Sequence, residues 1–195
     1  MQLTEQIRIN APRETVFAAL NDVDILRQAI PGCEAIDAAS PTEMTATVSA
    51  KVGPLKARFS GQVTLADIVP PESYTLSGEG KGGPAGHVRV SSRVKLTADG
   101  AATLLDYDVK ADIGGKLAQL GGAIVEKTAR KLAGEFFASF NALVGVPESV
   151  ADTPSAATPA PADTGIGHGH GHGGAHLPWV LGGALAVLVI VWLTR

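Results

Sequence analysis

What most limits the fold of this chain is a change in the spacing of its apolar residues. From residue 43 to residue 113 they recur at every second position, the period of half-buried strands. Met44, Ala46, Val48, Ala50 and Val52 fall on one face of the first run. After the turn "GPL", Ala57, Phe59, Gly61, Val63 and Leu65 do the same. "SYTLSGEG" is weaker. In "HVRVSSRVKLTADG", Val88, Val90, Ser92, Val94 and Leu96 alternate with His87, Arg89, Arg93 and Lys95; past Asp99-Gly100, Thr103, Leu105, Tyr107 and Val109 face inward. From Lys116 the period becomes three and four: Leu117, Leu120, Ile124, Thr128, Leu132, Phe136, Phe140 and Leu143 make the stripe of one long amphipathic helix. Lys127, Arg130, Lys131 and Glu135 are left to face water.

Ahead of these runs, "QLTEQIRI" alternates Leu3, Glu5, Ile7 and Ile9 against polar partners, a strand with neither face strongly apolar. "NAPRETVFAAL" predicts a short helix with Asn10 near its cap and Pro12 in its first turn. "DVDILRQAI" predicts a second, opened by Asp22 and stopped by Pro31-Gly32. The order is therefore strand, two short helices, about six antiparallel strands with short connections, and one long closing helix. This is an α+β chain whose curved sheet needs a cover, and only the last helix is long enough to supply it. The two short helices cannot fill the open mouth, so a cavity is expected between sheet and long helix. The arrangement resembles the helix-grip fold of the START-like (SRPBCC) superfamily.

The expected cavity walls are Ile25, Leu26, Ile30, Phe59, Val63, Val90, Leu105, Leu117, Leu120 and Ile124, which suit an isoprenoid or acyl chain. Tyr107 on a strand and Thr128 on the helix are the inward polar tips, each able to donate to a ligand carbonyl. No Ser-His-Asp, Cys-His or carboxylate pair can be placed on the inward faces, so no catalytic residue is assigned. "GEGKGG" has the spacing of a nucleotide-binding glycine motif. A strand rather than a helix follows it, so it is read as a flexible loop between strands. Asp106, Asp108 and Asp112 alternate outward, opposite the Arg/Lys strip of the preceding strand, where cross-strand charge pairing accounts for them.

Composition divides the chain into a domain at 1–145, a linker at 146–176 and an apolar rod at 177–194. The linker, rich in Pro, Ala, Ser and Thr and then in His and Gly, has too few large apolar residues to offset ordering entropy and is expected to be disordered. The rod is uncharged until its end and carries Trp179 and Trp192 near its termini, the pattern of a single C-terminal transmembrane anchor. His168, His170, His172 and His176 could bind a transition metal, and a solvated spacer is the simpler reading; no firm metal site is assigned. A net charge of −3 without a basic block argues against nucleic acid. One cysteine, Cys33, rules out an internal disulfide. "MQLTEQIRIN" lacks the pattern of a signal peptide, which places the expected domain in the cytoplasm, at the face of the cytoplasmic membrane.

Three stretches are more particular than the fold. "LNDVDILRQAIPGCEAI", "AKVGPLKARFSGQVTL" and "GGKLAQLGGAIVEKTARKLAGEFF" resemble, in order and spacing, the CoxG-like family, the CoxG subunits of carbon monoxide dehydrogenase, over about Gln2 to Gly145. The resemblance implies a role beside a molybdenum-containing carbon monoxide dehydrogenase or related hydroxylase. It implies recruitment of that enzyme to the membrane, and a pocket for a lipid or a quinone (menaquinone or ubiquinone) that would carry electrons to the respiratory chain. The leading expectation is thus a non-catalytic, membrane-anchored adaptor that relays quinone. Two alternatives stand beside it: a pure anchor or assembly factor with an incidental cavity, and a cyclase- or hydrolase-type enzyme of the same fold.

Overall fold

The structure, a computed structural model, describes residues 1–145. The expected linker, the apolar rod and the four histidines at 168, 170, 172 and 176 lie outside the described residues. No helix among the described residues is long and apolar enough to cross a membrane.

The elements run β1 (Gln2–Ile9), α1 (Arg13–Ala19), α2 (Val23–Ala29), β2 (Cys33–Ser40), β3 (Glu43–Val52), β4 (Leu55–Val69), β5 (Ser73–Lys81), a 3₁₀ turn (Gly83–Ala85), β6 (His87–Asp99), β7 (Ala102–Gly114), α3 (Lys116–Gln119) and α4 (Gly122–Val144). The seven strands form one antiparallel sheet in the order β1-β7-β6-β5-β4-β3-β2. Its inner face is covered by α4, with α2 packed between α4 and the β2 edge and α1 lying against β6 and β7. This is the helix-grip arrangement that the order of elements predicts, and among the described residues one core runs from Leu3 to Phe140.

Local chemistry explains the helix starts. Asp22 caps α2, its carboxylate accepting from the Asp24 and Ile25 amides at 2.8 and 3.1 Å, a cap that contributes about 1 kcal/mol. α1 lacks such a side-chain cap. Pro12 occupies its cap position, while the Asn10 amide instead donates to the Asn141 side chain of α4 at 2.8 Å.

Three expectations need correction. The seven strands match the expected one plus about six, and the strand that the alternation does not locate is β2, an edge along which only Ile36 is buried; one inward contact leaves no alternation to read. "GEGK" is not a loop, because β5 continues to Lys81, paired with β4 and β6 on either side. Pairing to two neighbours overrides the low strand preference of glycine. The closing helix is interrupted: α3 ends before Gly121, whose φ of 86° is a left-handed conformation that glycine adopts readily. Because of that break the phase carried over from Leu117 is lost. The buried stripe of α4 is Val125, Ala129, Ala133, Phe136, Phe137 and Phe140, while Ile124 and Leu143 are 43% and 42% exposed.

Candidate ligand-binding interior

The inner wall of the sheet is built in rows, because residues in register on antiparallel strands share a face. Tyr107, Val94 and Tyr74 make one row across β7, β6 and β5. Val109, Ser92, Leu76 and Leu65 make the next. Beyond it come Ala111, Val90, Gly78 and Val63, and then Ile113, Val88, Gly80, Gly61 and Ala46. Three of the residues in the last two rows are glycines, so at Gly61, Gly78 and Gly80 the wall is bare backbone.

α4 matches this gradation. Phe136, Phe137 and Phe140 stack among themselves, and Phe137 lies on Tyr107 with ring centroids 5.7 Å apart. Phe17 of α1 meets Tyr74 edge-on at 6.1 Å. Toward its N-terminus the fully buried residues of the same helix are the small Val125, Ala129 and Ala133, with Leu132 partly buried beside them. One half of the interior is filled by the rings of α1, α4 and the tyrosine row, and the other is lined by glycine, alanine and valine together with the buried Leu117 and Phe59, whose ring lies against Gly82.

The expected wall residues divide between these halves. Leu26, Ile30, Phe59, Val63, Val90, Leu105 and Leu117 are buried in one cluster, with Ile25 and Leu120 partly buried at its margin. Leu105 stands opposite Leu96, beyond the tyrosine row and away from Val63 and Val90. Ile124 points outward, where its Cγ2 would lie 3.2 Å from a side chain placed on Gly53 of the β3–β4 turn. The Tyr107 hydroxyl donates to Glu5 Oε2 at 2.7 Å, and Thr128 donates to the Ile124 carbonyl one turn back at 2.9 Å. Neither expected polar tip is directed at an empty interior.

Other polar groups were missed by sequence reasoning. Ser92, 5% exposed and flanked by Val90 and Val94, has an Oγ buried without a hydrogen-bond partner among the described residues. An unsatisfied hydroxyl in apolar surroundings costs about 1–3 kcal/mol. Arg13 Nε is also buried and unpartnered, although the guanidinium reaches Glu72 at 3.6 Å. Glu5, on the inner face of β1, binds both Tyr107 and Arg130, and Arg130 also holds Glu126 at 3.1 Å. Both Ser92 and Glu5 sit at inward positions of alternating runs, so parity was the available signal.

Burial pushes both tyrosine phenols above their usual range; for Tyr107 the hydrogen bond to Glu5 adds to the effect. Burial likewise raises the Cys33 thiol. The described histidine, His87, is exposed on the outer face, and no three His, Cys, Asp or Glu side chains among the described residues could hold a metal ion. Asp106 and Asp108 stand opposite Lys95 and Arg93 as expected, and they also accept hydrogen bonds from Gln6, and from Gln2 and Thr4, of β1.

The profile of the carbon monoxide dehydrogenase CoxG family matches residues 6–145. The chain belongs to this family. A conserved protein from Geobacillus kaustophilus, solved by crystallography, is similar to this CoxG-family chain at 27% identity and a TM-score of 0.70, over 74% of this chain and 95% of that one. Since that protein has little beyond the matched part, the domain corresponds to a unit that folds by itself. A START superfamily protein from Mycobacterium smegmatis matches at 13% identity and a TM-score of 0.57, over 73% and 96%. The Zhui aromatase/cyclase from a Streptomyces species matches at 12% and 0.51, over 74% and 93%. These last two show the fold alone. No protein of curated function matches the sequence. CoxG and START-like folds generally bind ligands rather than catalyse, and the Streptomyces neighbour shows that the fold also carries enzymes.

Proposed function

We propose that this CoxG-family domain holds a quinone or similar lipid in the half of its interior lined by glycine, alanine and valine. The observation that carries the reading is Ser92: among the described residues its buried hydroxyl lacks a partner, and the next row of the wall holds Gly78, where it is bare backbone. A flat apolar ring fits against such a wall, and one ring carbonyl accepting from Ser92 removes the cost of the unpaired hydroxyl. Apolar walls with a single orienting donor suit a carrier better than a catalyst. Membership in the CoxG family supports the wider role, in which the chain brings a molybdenum-containing carbon monoxide dehydrogenase or related hydroxylase to the cytoplasmic membrane and relays quinone between them. Residues 177–194 would serve as the anchor.

Solvent extraction of the purified chain, with mass spectrometry of the extract, tests the ligand. A quinone or carbonyl-bearing lipid near one per chain is expected, and an empty domain after expression in a quinone-producing host contradicts the reading. Removal of residues 146–195 tests the tether. The expected outcome is that the partner enzyme's hold on membranes weakens and becomes salt-sensitive, while the soluble domain still accepts added quinone.

A further inference from the structure

Three connections lie at the end of the sheet beyond the glycine-bearing rows: the β3–β4 hairpin (51–56), the β5–β6 connection (80–88) and the β7–α4 connection (113–125). The 3₁₀ turn of the second packs on α3 and β4, and the Gly53 turn of the first lies beside Ile124. Together they contain Lys51, Lys56, Lys81, Lys116 and His87 but no aspartate or glutamate, in a chain whose acidic residues outnumber its lysines and arginines by 19 to 16. All five side chains are exposed. Lys51 stands directly opposite Lys56, and Lys81 opposite His87. Like charges in directly opposed positions destabilise a hairpin, so the Lys51/Lys56 pair does not serve the fold. None of these four lysines enters an ion pair among the described residues, whereas the nearby Arg58 and Arg89 bind Glu34 and Glu79.

Apolar residues occupy the tips within this ring of charge. Pro54, Pro84 and Ile124 are exposed, and Leu55 and Leu120 are half-buried. The opposite end has the other sign: Asp67, Glu72 and Asp99 lie there, with Arg8 and Arg13 engaged by Asp99 and Glu72.

We propose that this lysine rim docks the domain onto an anionic bilayer, independently of the C-terminal rod. Lysines are mobile point charges suited to mobile headgroups, whereas recognition of fixed carboxylates on a protein favours the forked guanidinium of arginine. The apolar tips protrude from turns instead of forming a flat face, as suits insertion among acyl chains. The inference rests on the membrane location in the function proposed above, but not on the ligand. α4 is about 35 Å long, so the chain leaves the domain at the end away from the rim. The 31 residues from 146 to 176 have a contour of about 100 Å, enough to let the rim turn toward the bilayer holding the rod.

The test uses residues 1–145, which correspond to a unit that folds by itself, with vesicles of phosphatidylcholine alone or with about one-third phosphatidylglycerol. Each lysine near an anionic surface strengthens binding by about fivefold, so the anionic vesicles are expected to bind at least about tenfold better. Lys51→Gln/Lys56→Gln is expected to remove about tenfold or more of that binding, and Ile124→Asp severalfold. Lys95→Gln, at the far half of the outer face, should have no effect. Circular dichroism confirms that each variant is folded. Equal binding to both vesicle types, no binding to either, or unchanged binding by the Lys51/Lys56 variant overturns the proposal. So does binding to polyglutamate without binding to vesicles, which would assign the rim to an acidic protein. If the domain carries ligand but ignores vesicles, only this inference falls. If it binds anionic vesicles but is empty, the ligand reading falls and the rim stands.

Discussion

The two halves of the interior differ in what their side chains do. In one, Tyr107, Tyr74, Phe17, Phe136, Phe137 and Phe140 fill the space between sheet and helix with rings in contact. In the other, Gly61, Gly78 and Gly80 sit at inward positions of β4 and β5, α4 buries only the small Val125, Ala129 and Ala133, and the one ring among the described residues is that of Phe59, packed against Gly82. The charges follow the same division, with paired acids and arginines at the aromatic end and unpaired lysines at the glycine end. The contrast assigns most of the ring-to-ring packing to one half and the proposed ligand and docking surface to the other.

The largest effect should come from the aromatic half. Phe136 is fully buried and touches both Phe137 and Phe140, so Phe136→Ala is expected to cost about 3–5 kcal/mol in urea unfolding. A loss below about 1 kcal/mol would erase the distinction between the halves.

Alkaline pH probes the same half. Both phenols are raised by burial, so the folded state keeps two protons that the unfolded chain releases above about pH 10. The stabilisation is fully present below that pH and falls as pH rises, by about 2.7 kcal/mol per unit for the pair. Phenolate absorbance should therefore appear in one step with unfolding. A separate earlier titration would show that one ring is wet.

Glu5→Gln weakens the contacts to Tyr107 and Arg130. Because Arg130 is half exposed, the expected cost is only about 1 kcal/mol. The smallest stability effect belongs to the bare wall. Gly78→Val adds a branched side chain to the inner face of a strand, and if that face borders open space the change in unfolding free energy should stay within about 1 kcal/mol. A loss of about 1–3 kcal/mol would mean that the space is already filled.

The periodicity made most of the sheet legible because its central strands are buried on one face and solvated on the other; β6, from His87 to Asp99, alternates almost without exception. β2 escaped because an edge strand with one buried residue leaves no pattern. The helix stripe was displaced by one residue because Ile124 and Leu132 outweigh Ala129 and Ala133 in size, while the close-packed face needs the smaller pair. The site was legible in part. Phe59, Val63 and Val90 are legible as inward residues and are buried, whereas Ser92, also at an inward position, is indistinguishable by spacing from the rest of the alternation. Its lack of a partner is a three-dimensional fact that spacing cannot carry.

The central claim is that Ser92 faces a ligand, and the stability of the wild-type domain and Ser92→Ala, each with and without a soluble short-chain benzoquinone, tests it most directly. Without quinone the variant should match or exceed the wild type, since an unpaired hydroxyl is removed. With quinone at about a hundred times its dissociation constant, the wild type should gain about 2.7 kcal/mol and the variant markedly less. Equal gains in both proteins, or no gain in either, would contradict the account.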